Sequence, residues 1–140
     1  MANTKCPHEN FTDKKDSRFY LIIVQYTARL HNERLGQAIR SLHEVPPSRK
    51  LFNFRLVSPE QNDLLTGYSH NGVTPLGCRE KLPVIISDRI AALNPPFIWL
   101  GAGEVDLKWR VSVEDLFKRF DPIVANITYD EVNEDPEPTH

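Results

Sequence analysis

No stretch of this chain approaches the roughly 20 consecutive apolar residues that a membrane-spanning helix needs. The longest apolar run, Phe19–Val24, has the length of a strand. The opening residues, Met1-Ala2-Asn3-Thr4-Lys5, lack the apolar centre of a secretory leader. Cysteine is scarce: only Cys6 and Cys78 occur, so at most one bridge is conceivable. Without a leader, the expectation is a reducing cytosol, a cytoplasmic location and free thiols. Cys6 and His8 are spaced like a fragment of a metal site, but the sequence shows no second ligand pair, and no metal is expected. A Gly-x-Ser-x-Gly nucleophile elbow and a phosphate-binding P-loop are also missing. These absences exclude collagen, coiled coil, membrane-spanning helix and disulfide-rich secreted scaffold.

What remains fits one globular domain. The 140 residues are 40% hydrophobic and 26% charged, ordinary values for a folded protein. The net charge of −2 hides an asymmetry. Residues 129–140 carry Asp130, Glu131, Glu134, Asp135 and Glu137 with no Lys or Arg, which leaves 1–128 at +3, 17 basic against 14 acidic. The tail, with Pro136 and Pro138, is expected to be disordered. A solvated surface accounts for the mild basicity of the body as well as a polyanion partner does.

Residues 1–17 are polar and read as an irregular lead-in. Arg18–Tyr26 reads as a strand buried on both faces. Leu35, Ala38, Ile39 and Leu42 make one helical stripe over 32–43, with Asn32 as expected cap. Leu51–Val57 alternates and predicts a half-buried strand. Ser58-Pro59-Glu60-Gln61 is a helix start with a capping box, and Gly67 is its stop. Leu64 and Leu65 are expected to face inward. Pro83–Ser87, Phe97–Leu100, Leu107–Val111 and Ile123–Ile127 read as strands, with a short helical turn after Ser87 and a Ser112-capped helix before Pro122. Trp99 and Trp109 are expected in the core, and His31 and His43 on the surface. The order of elements favours α+β over a regular alternating α/β sheet.

Two loops carry the chemistry. Gly67-Tyr68-Ser69-His70-Asn71-Gly72-Val73-Thr74-Pro75-Leu76-Gly77 has three glycines and a proline in eleven residues, a composition that fixes a tight turn and lets backbone amides approach an aminoacyl or phosphate group. A plain hairpin connection explains it too, because Asn-Gly is a common turn pair. Gly101-Ala102-Gly103-Glu104-Val105-Asp106 follows a strand, yet it lacks the third glycine of a dinucleotide fingerprint; a strand-to-strand turn is the alternative. Cys78 lies beside Arg79 and Lys81, a setting that lowers a thiol pKa, against which stands a buried spectator thiol. His70 is suited to proton transfer or hydrogen bonding near neutral pH, or is a loop histidine without a role.

Taken in order, these segments resemble the YbaK, or prolyl-tRNA-synthetase-associated, editing-domain family. The resemblance rests on Thr66-Gly67-Tyr68, Gly72-Val73-Thr74-Pro75-Leu76-Gly77, Leu82-Pro83-Val84-Ile85-Ile86, Trp99-Leu100-Gly101-Ala102-Gly103 and Asp106-Leu107, and runs from about Arg18 to Ile127. It implies a single α+β domain over 18–128 with a central mixed, partly barrel-like sheet flanked by short helices. It implies hydrolysis of the ester bond in mischarged tRNA, of the cysteinyl- or alanyl-tRNA(Pro) type, without metal or cofactor. In that picture water attacks the aminoacyl carbonyl and the terminal ribose 2′-hydroxyl assists. The implied catalytic positions are Gly72 and Asp106. His70, Asn71, Val73, Thr74, Pro75, Gly101 and Gly103 would contact the aminoacyl-tRNA 3′ end, and a synthetase is an implied partner. The family also uses a lysine on a strand preceding the equivalent of Arg18–Tyr26. None of Lys5, Lys14 and Lys15 has an apolar strand context, so that role is assigned to no residue, and the chain is expected to be clipped at its start. A non-catalytic tRNA- or synthetase-binding module is the alternative.

Overall fold

The computed structural model describes residues 1–69, 72–104 and 106–130. Its organising element is β4 (Val84–Ser87), where every residue is buried. The strand is flanked in parallel by β2 (Leu21–Ile23) and β7 (Ile123–Ala125), with Ile22 opposite Ile85 and Ile86 opposite Val124. Successive side chains of a strand point to opposite faces, so β4 serves two cores at once. Ile85 packs on one face with Tyr20, Leu35, Ile39, Phe54 and Ile127. Val84 and Ile86 pack on the other with Ile23, Ile90, Val111 and Leu116. Three consecutive apolar residues are required because neither face meets water. Burying each stabilises the fold by about 1.5–3 kcal/mol.

The first face is covered by α1 (Asn32–Arg40), which turns Leu35, Gly36, Ala38 and Ile39 inward. Its cap is His31 rather than Asn32: the His31 side chain accepts from the Arg34 N–H. The ring is held by Tyr129, at 4.4 Å between centroids, so this histidine has a structural role that a surface reading missed. The second face is covered by α4 (Val113–Phe120), with Ser112 capping through Asp115 N–H.

The remaining strands form two small antiparallel pairs. β1 (Ala2–Asn3) pairs with β3 (Phe54–Arg55) and bridges Phe19. The opening residues, read as an irregular lead-in, thus contain a strand. β5 (Phe97–Gly101) and β6 (Lys108–Ser112) form a hairpin. The α+β class holds, but the strands are spread over three sheets, the central one parallel, and among the described residues no barrel closes. Between Leu51 and Val57 only Phe54–Arg55 is strand, preceded by a 3-10 turn over Arg49–Leu51, and Leu56 is exposed. Helices α2 (Pro59–Thr66) and α3 (Asp88–Ala91) complete the fold. In α2 Leu65 is buried while Leu64 points to solvent. Among the described residues no helix is long and apolar enough to cross a membrane.

Tyr129 and Asp130, assigned from sequence to a disordered tail, are docked. Arg34 grips the Asp130 carboxylate through two nitrogens at 2.8 and 3.0 Å, and Arg89 donates to the Tyr129 and Asp130 carbonyls at 3.0 Å. The guanidinium of Arg34 holds the Asp130 carboxyl below the usual carboxylate range. The rest of the expected tail, 131–140, lies outside the described residues.

Candidate functional site

The site begins where α2 ends. Ser58 caps α2 by accepting from Gln61 N–H, Pro59 occupies its first turn, and Gly67 ends it at φ +79°. That backbone region favours glycine. The chain then enters the glycine–proline loop. Thr66 Oγ1 donates to Asn62 O at 2.9 Å and accepts from Tyr68 N–H at 3.1 Å, while Asn62 Nδ2 donates to Tyr68 O at 2.8 Å. The side-chain bonds of the helix's last turn therefore fix where the loop departs.

The second loop caps the β5–β6 hairpin, with Gly101 opposite Lys108 at its mouth. Ala102 N–H donates to Leu107 O at 3.0 Å and Leu107 N–H to Glu104 O at 3.2 Å. Gly103 has φ +99°, again a conformation for glycine. Asp106 is exposed on this turn.

The structure brings these loops into direct contact, backbone against backbone. Gly103 N–H donates to Gly72 O at 3.1 Å. A methyl group placed on Gly72 would stand 2.9 Å from Gly103 O and 3.1 Å from Gly103 C. One on Gly101 would stand 2.9 Å from Val73 O. Neither position admits a side chain without parting the loops. Tyr68 locks the pair from outside: its hydroxyl donates to Leu76 O at 2.6 Å, and its ring lies against Gly103. This tyrosine was part of the sequence motif, but nothing in the sequence assigned it a clasping role.

Thr74 is buried, and its hydroxyl accepts from Trp109 Nε1–H at 3.3 Å. It therefore ties the loop to β6. Trp109 is half-buried against this loop as well as the core, whereas Trp99, expected inside, is 63% exposed. Val73 and Pro75 are half-buried and Gly77 is exposed. Cys78 donates to Thr74 O at 3.0 Å, and burial pushes its thiol pKa up. Of the two readings offered by the sequence, this favours the buried spectator thiol over one activated by Arg79 and Lys81, because desolvation disfavours the charged thiolate. His70 and Asn71 lie outside the described residues.

The glycine loops form a tight surface fold, while a separate concavity of about 320 Å³ runs along α1. Gln37, Arg40, Arg49, Lys50, Phe52 and Phe54 are among its lining residues. Arg40 Nε donates to Pro47 O at 2.7 Å, and Arg49 faces Glu33 at 3.7 Å. This is a cationic, partly aromatic groove that sequence reasoning did not find, because its residues come from separate segments.

Comparison with known proteins bears on the joined loops. No curated protein matches the chain significantly. Three of the solved structures that share the fold illustrate the likeness. One is a scaffold from computational grafting of linear epitopes, 19% identical with a TM-score of 0.65, covering 80% of this chain and 64% of that one. A second is a candidate trans-editing enzyme for prolyl tRNA synthetase, 25% identical with a TM-score of 0.63, covering 79% and 62%. A third is a hypothetical protein, 16% identical with a TM-score of 0.63, covering 79% and 65%. The chain thus spans slightly less than two thirds of the length of each. The sequence profile of the aminoacyl-tRNA editing domain matches residues 10–119, which include both glycine loops and the strands that carry them. The chain belongs to the aminoacyl-tRNA editing domain family.

Proposed function

We propose that this domain hydrolyses the ester bond of mischarged aminoacyl-tRNA, with the joined loops as the seat of the aminoacyl end. The observation that carries this reading is the Gly72–Gly103 backbone contact inside the family-matched region. Ester hydrolysis adds water to the aminoacyl carbonyl, passes through an oxyanion, and releases the amino acid while the ribose oxygen regains a proton. Gly72 N–H and Gly103 N–H are engaged by Ser69 O and Gly72 O, so these two glycines fix the loop shape. The oxyanion donors would be neighbouring loop amides that this shape holds in place without reorganisation as charge develops. In this reading Gly72 shapes the carbonyl pocket, with Val73 and Pro75 on one wall and Gly101 and Gly103 on the other. Thr74, its hydroxyl engaged by Trp109, positions the loop. His70 and Asn71 border the aminoacyl group. Asp106, exposed on the facing turn, accepts a proton from the attacking water. The α1 groove supplies Arg49 and Lys50 for backbone phosphates. Cysteinyl- and alanyl-tRNA(Pro) are the proposed substrates, the cytosol the proposed compartment, and a prolyl-tRNA synthetase the proposed partner.

The test is release of labelled amino acid from Ala-tRNA(Pro) and Cys-tRNA(Pro) by this chain, compared with correctly charged Pro-tRNA(Pro). The expected result is faster release from the mischarged species, lost in Gly72→Val. Equal rates for wild type and Gly72→Val would remove the loop from the reaction. Salt-sensitive tRNA binding without hydrolysis would replace the deacylase reading with that of a binding module.

A further inference from the structure

The long connection between β1 and β2, residues 4–20, contains no regular strand or helix. Irregular loops of this length inside compact domains are usually either functional or linker segments, and this one is packed into the fold, with Ser17, Phe19 and Tyr20 buried. Within it Cys6, His8 and Asp16 converge: among the described residues, their potential metal-ligating atoms all lie within 4.8 Å of one another. Cys6 Sγ is 3.7 Å from the His8 ring nitrogens and 4.0 Å from Asp16 Oδ1, and His8 Nε2 is 2.9 Å from Asp16 Oδ2. A tetrahedral zinc ion with its usual bond lengths needs ligand–ligand separations of roughly 3.3–3.8 Å. The three atoms lie close to that spacing, and small side-chain rotations meet it.

We propose that Cys6, His8 and Asp16 bind a divalent transition-metal ion, zinc being the best match, with a fourth position open to water. One thiolate, one imidazole and one carboxylate form the mixed, borderline-soft set that zinc takes. The three residues are already placed from inside outward: the sulfur is buried, His8 is partly exposed and Asp16 is open to solvent, so the ion has an approach. The backbone around the sulfur is fixed as well. Cys6 N–H donates to Asn3 O at 3.1 Å, and Arg18 Nη1 donates to Cys6 O at 2.9 Å. With the metal on Nε2, the neutral imidazole carries its proton on Nδ1. It gives up the 3.1 Å bond from Asn10 N–H, and exposed Asn10 replaces that bond with water. The thiol proton passes to solvent, so affinity rises with pH. The ion would cross-link the two ends of the loop that joins β1 to β2, strands of different sheets.

The sequence already showed Cys6 and His8 as half a motif. The third ligand was invisible because Asp16 is brought in by folding across ten residues.

The experiment is titration of the full chain with Co²⁺ and then Zn²⁺ under reducing conditions. The expected result is a thiolate-to-cobalt absorption band that Zn²⁺ displaces, and a rise in Tm with Zn²⁺. Cys6→Ser should abolish the band, His8→Gln should weaken binding roughly tenfold or more, and Cys78→Ser should leave both unchanged. His8→Gln, at a partly exposed position, keeps the test valid if Cys6→Ser fails to fold by circular dichroism. Absence of the band and of the Tm shift in wild type would overturn the site. So would a band that survives Cys6→Ser or disappears in Cys78→Ser.

Discussion

Replacing Gly72 by alanine tests whether the two loops are held together by backbone contact. The φ of Gly72 is unexceptional, so the cost is steric rather than dihedral. The new methyl would stand 2.9 Å from Gly103 O, 3.1 Å from Gly103 C and 3.3 Å from Ser69 O, all of them backbone atoms that cannot rotate away. Forcing extra volume into such a contact costs about 1–3 kcal/mol. Parting the loops also removes the Gly103 N–H to Gly72 O bond, worth about 1 kcal/mol. The expected loss is about 2–4 kcal/mol, against a total stability of roughly 5–15 kcal/mol for a domain of this kind. The protein should stay folded while its urea midpoint falls by about 1 M or more. Gly101→Ala should behave alike, since its methyl would meet Val73 O at 2.9 Å. The double variant should cost less than the two single losses together, because the first substitution already separates the surfaces. Urea denaturation followed by circular dichroism reads all three. An unchanged midpoint for Gly72→Ala, or full additivity in the double variant, would refute the backbone-contact argument.

Other outcomes follow from the same geometry. Gly36→Ala in α1 should stabilise the protein by about 0.5–1 kcal/mol. Its methyl would find Phe52 at 3.7 Å and Phe54 at 3.9 Å, ordinary packing distances, and a lower Tm would contradict this. Burial pushes the Tyr20 phenol up to about 12 from its model-compound value of 10.0. A raised folded pKa gives stability that is full below pH 10 and lost as pH rises towards 12. The loss should approach about 2.7 kcal/mol and be missing from Tyr20→Phe in urea titrations at pH 9 and 11. Asp121 and Asp130 have depressed carboxyl pKa values because Lys14 and Arg34, respectively, bond to them. Their contribution is present above the ordinary carboxylate pKa and disappears as pH falls through the lower folded value. Asp130→Asn should therefore flatten the acid limb of a Tm-against-pH curve; an identical limb would count against the pairing.

Elements governed by local chemistry were readable. Ser58, Pro59 and Gly67 mark the ends of α2, and Ser112 marks the start of α4, because each acts within a few residues of itself. The β4 strand was readable because an uninterrupted apolar run has few other uses. Failures occurred where a distant partner decides. His31 caps α1 with its ring against Tyr129, 98 positions away, so the local preference for Asn32 lost. Trp99 was read as core because it lies in a strand, but it points to solvent from the β5–β6 hairpin, while its neighbours Ile98 and Leu100 pack against the second core. Alternation across Leu51–Val57 predicted one face for Phe52, Phe54 and Leu56, whereas Phe54 is buried in the core, Phe52 packs against it half-buried and Leu56 is exposed. At the candidate site, the glycine spacing announced two tight loops. That they touch through Gly72 and Gly103, and that Tyr68 and Trp109 hold them, depended on three-dimensional proximity.

Ser112 belongs to two elements at once. It is the last residue of β6, opposite Phe97, and its hydroxyl caps α4 through Asp115 N–H at 3.1 Å. A one-residue slip of the hairpin would turn every β6 side chain to the other face. Here the slip would also pull the cap away from its helix and withdraw Trp109 from Thr74. The turn carrying Gly101 and Gly103 is thus indexed from the opposite end of the hairpin, four residues from its mouth along each strand. The helix acts as a stop that sets how far the hairpin extends, and with it the height at which that turn meets Gly72. Damage at the α4 cap should therefore be felt at the glycine loops, although no atom of that cap lies in them.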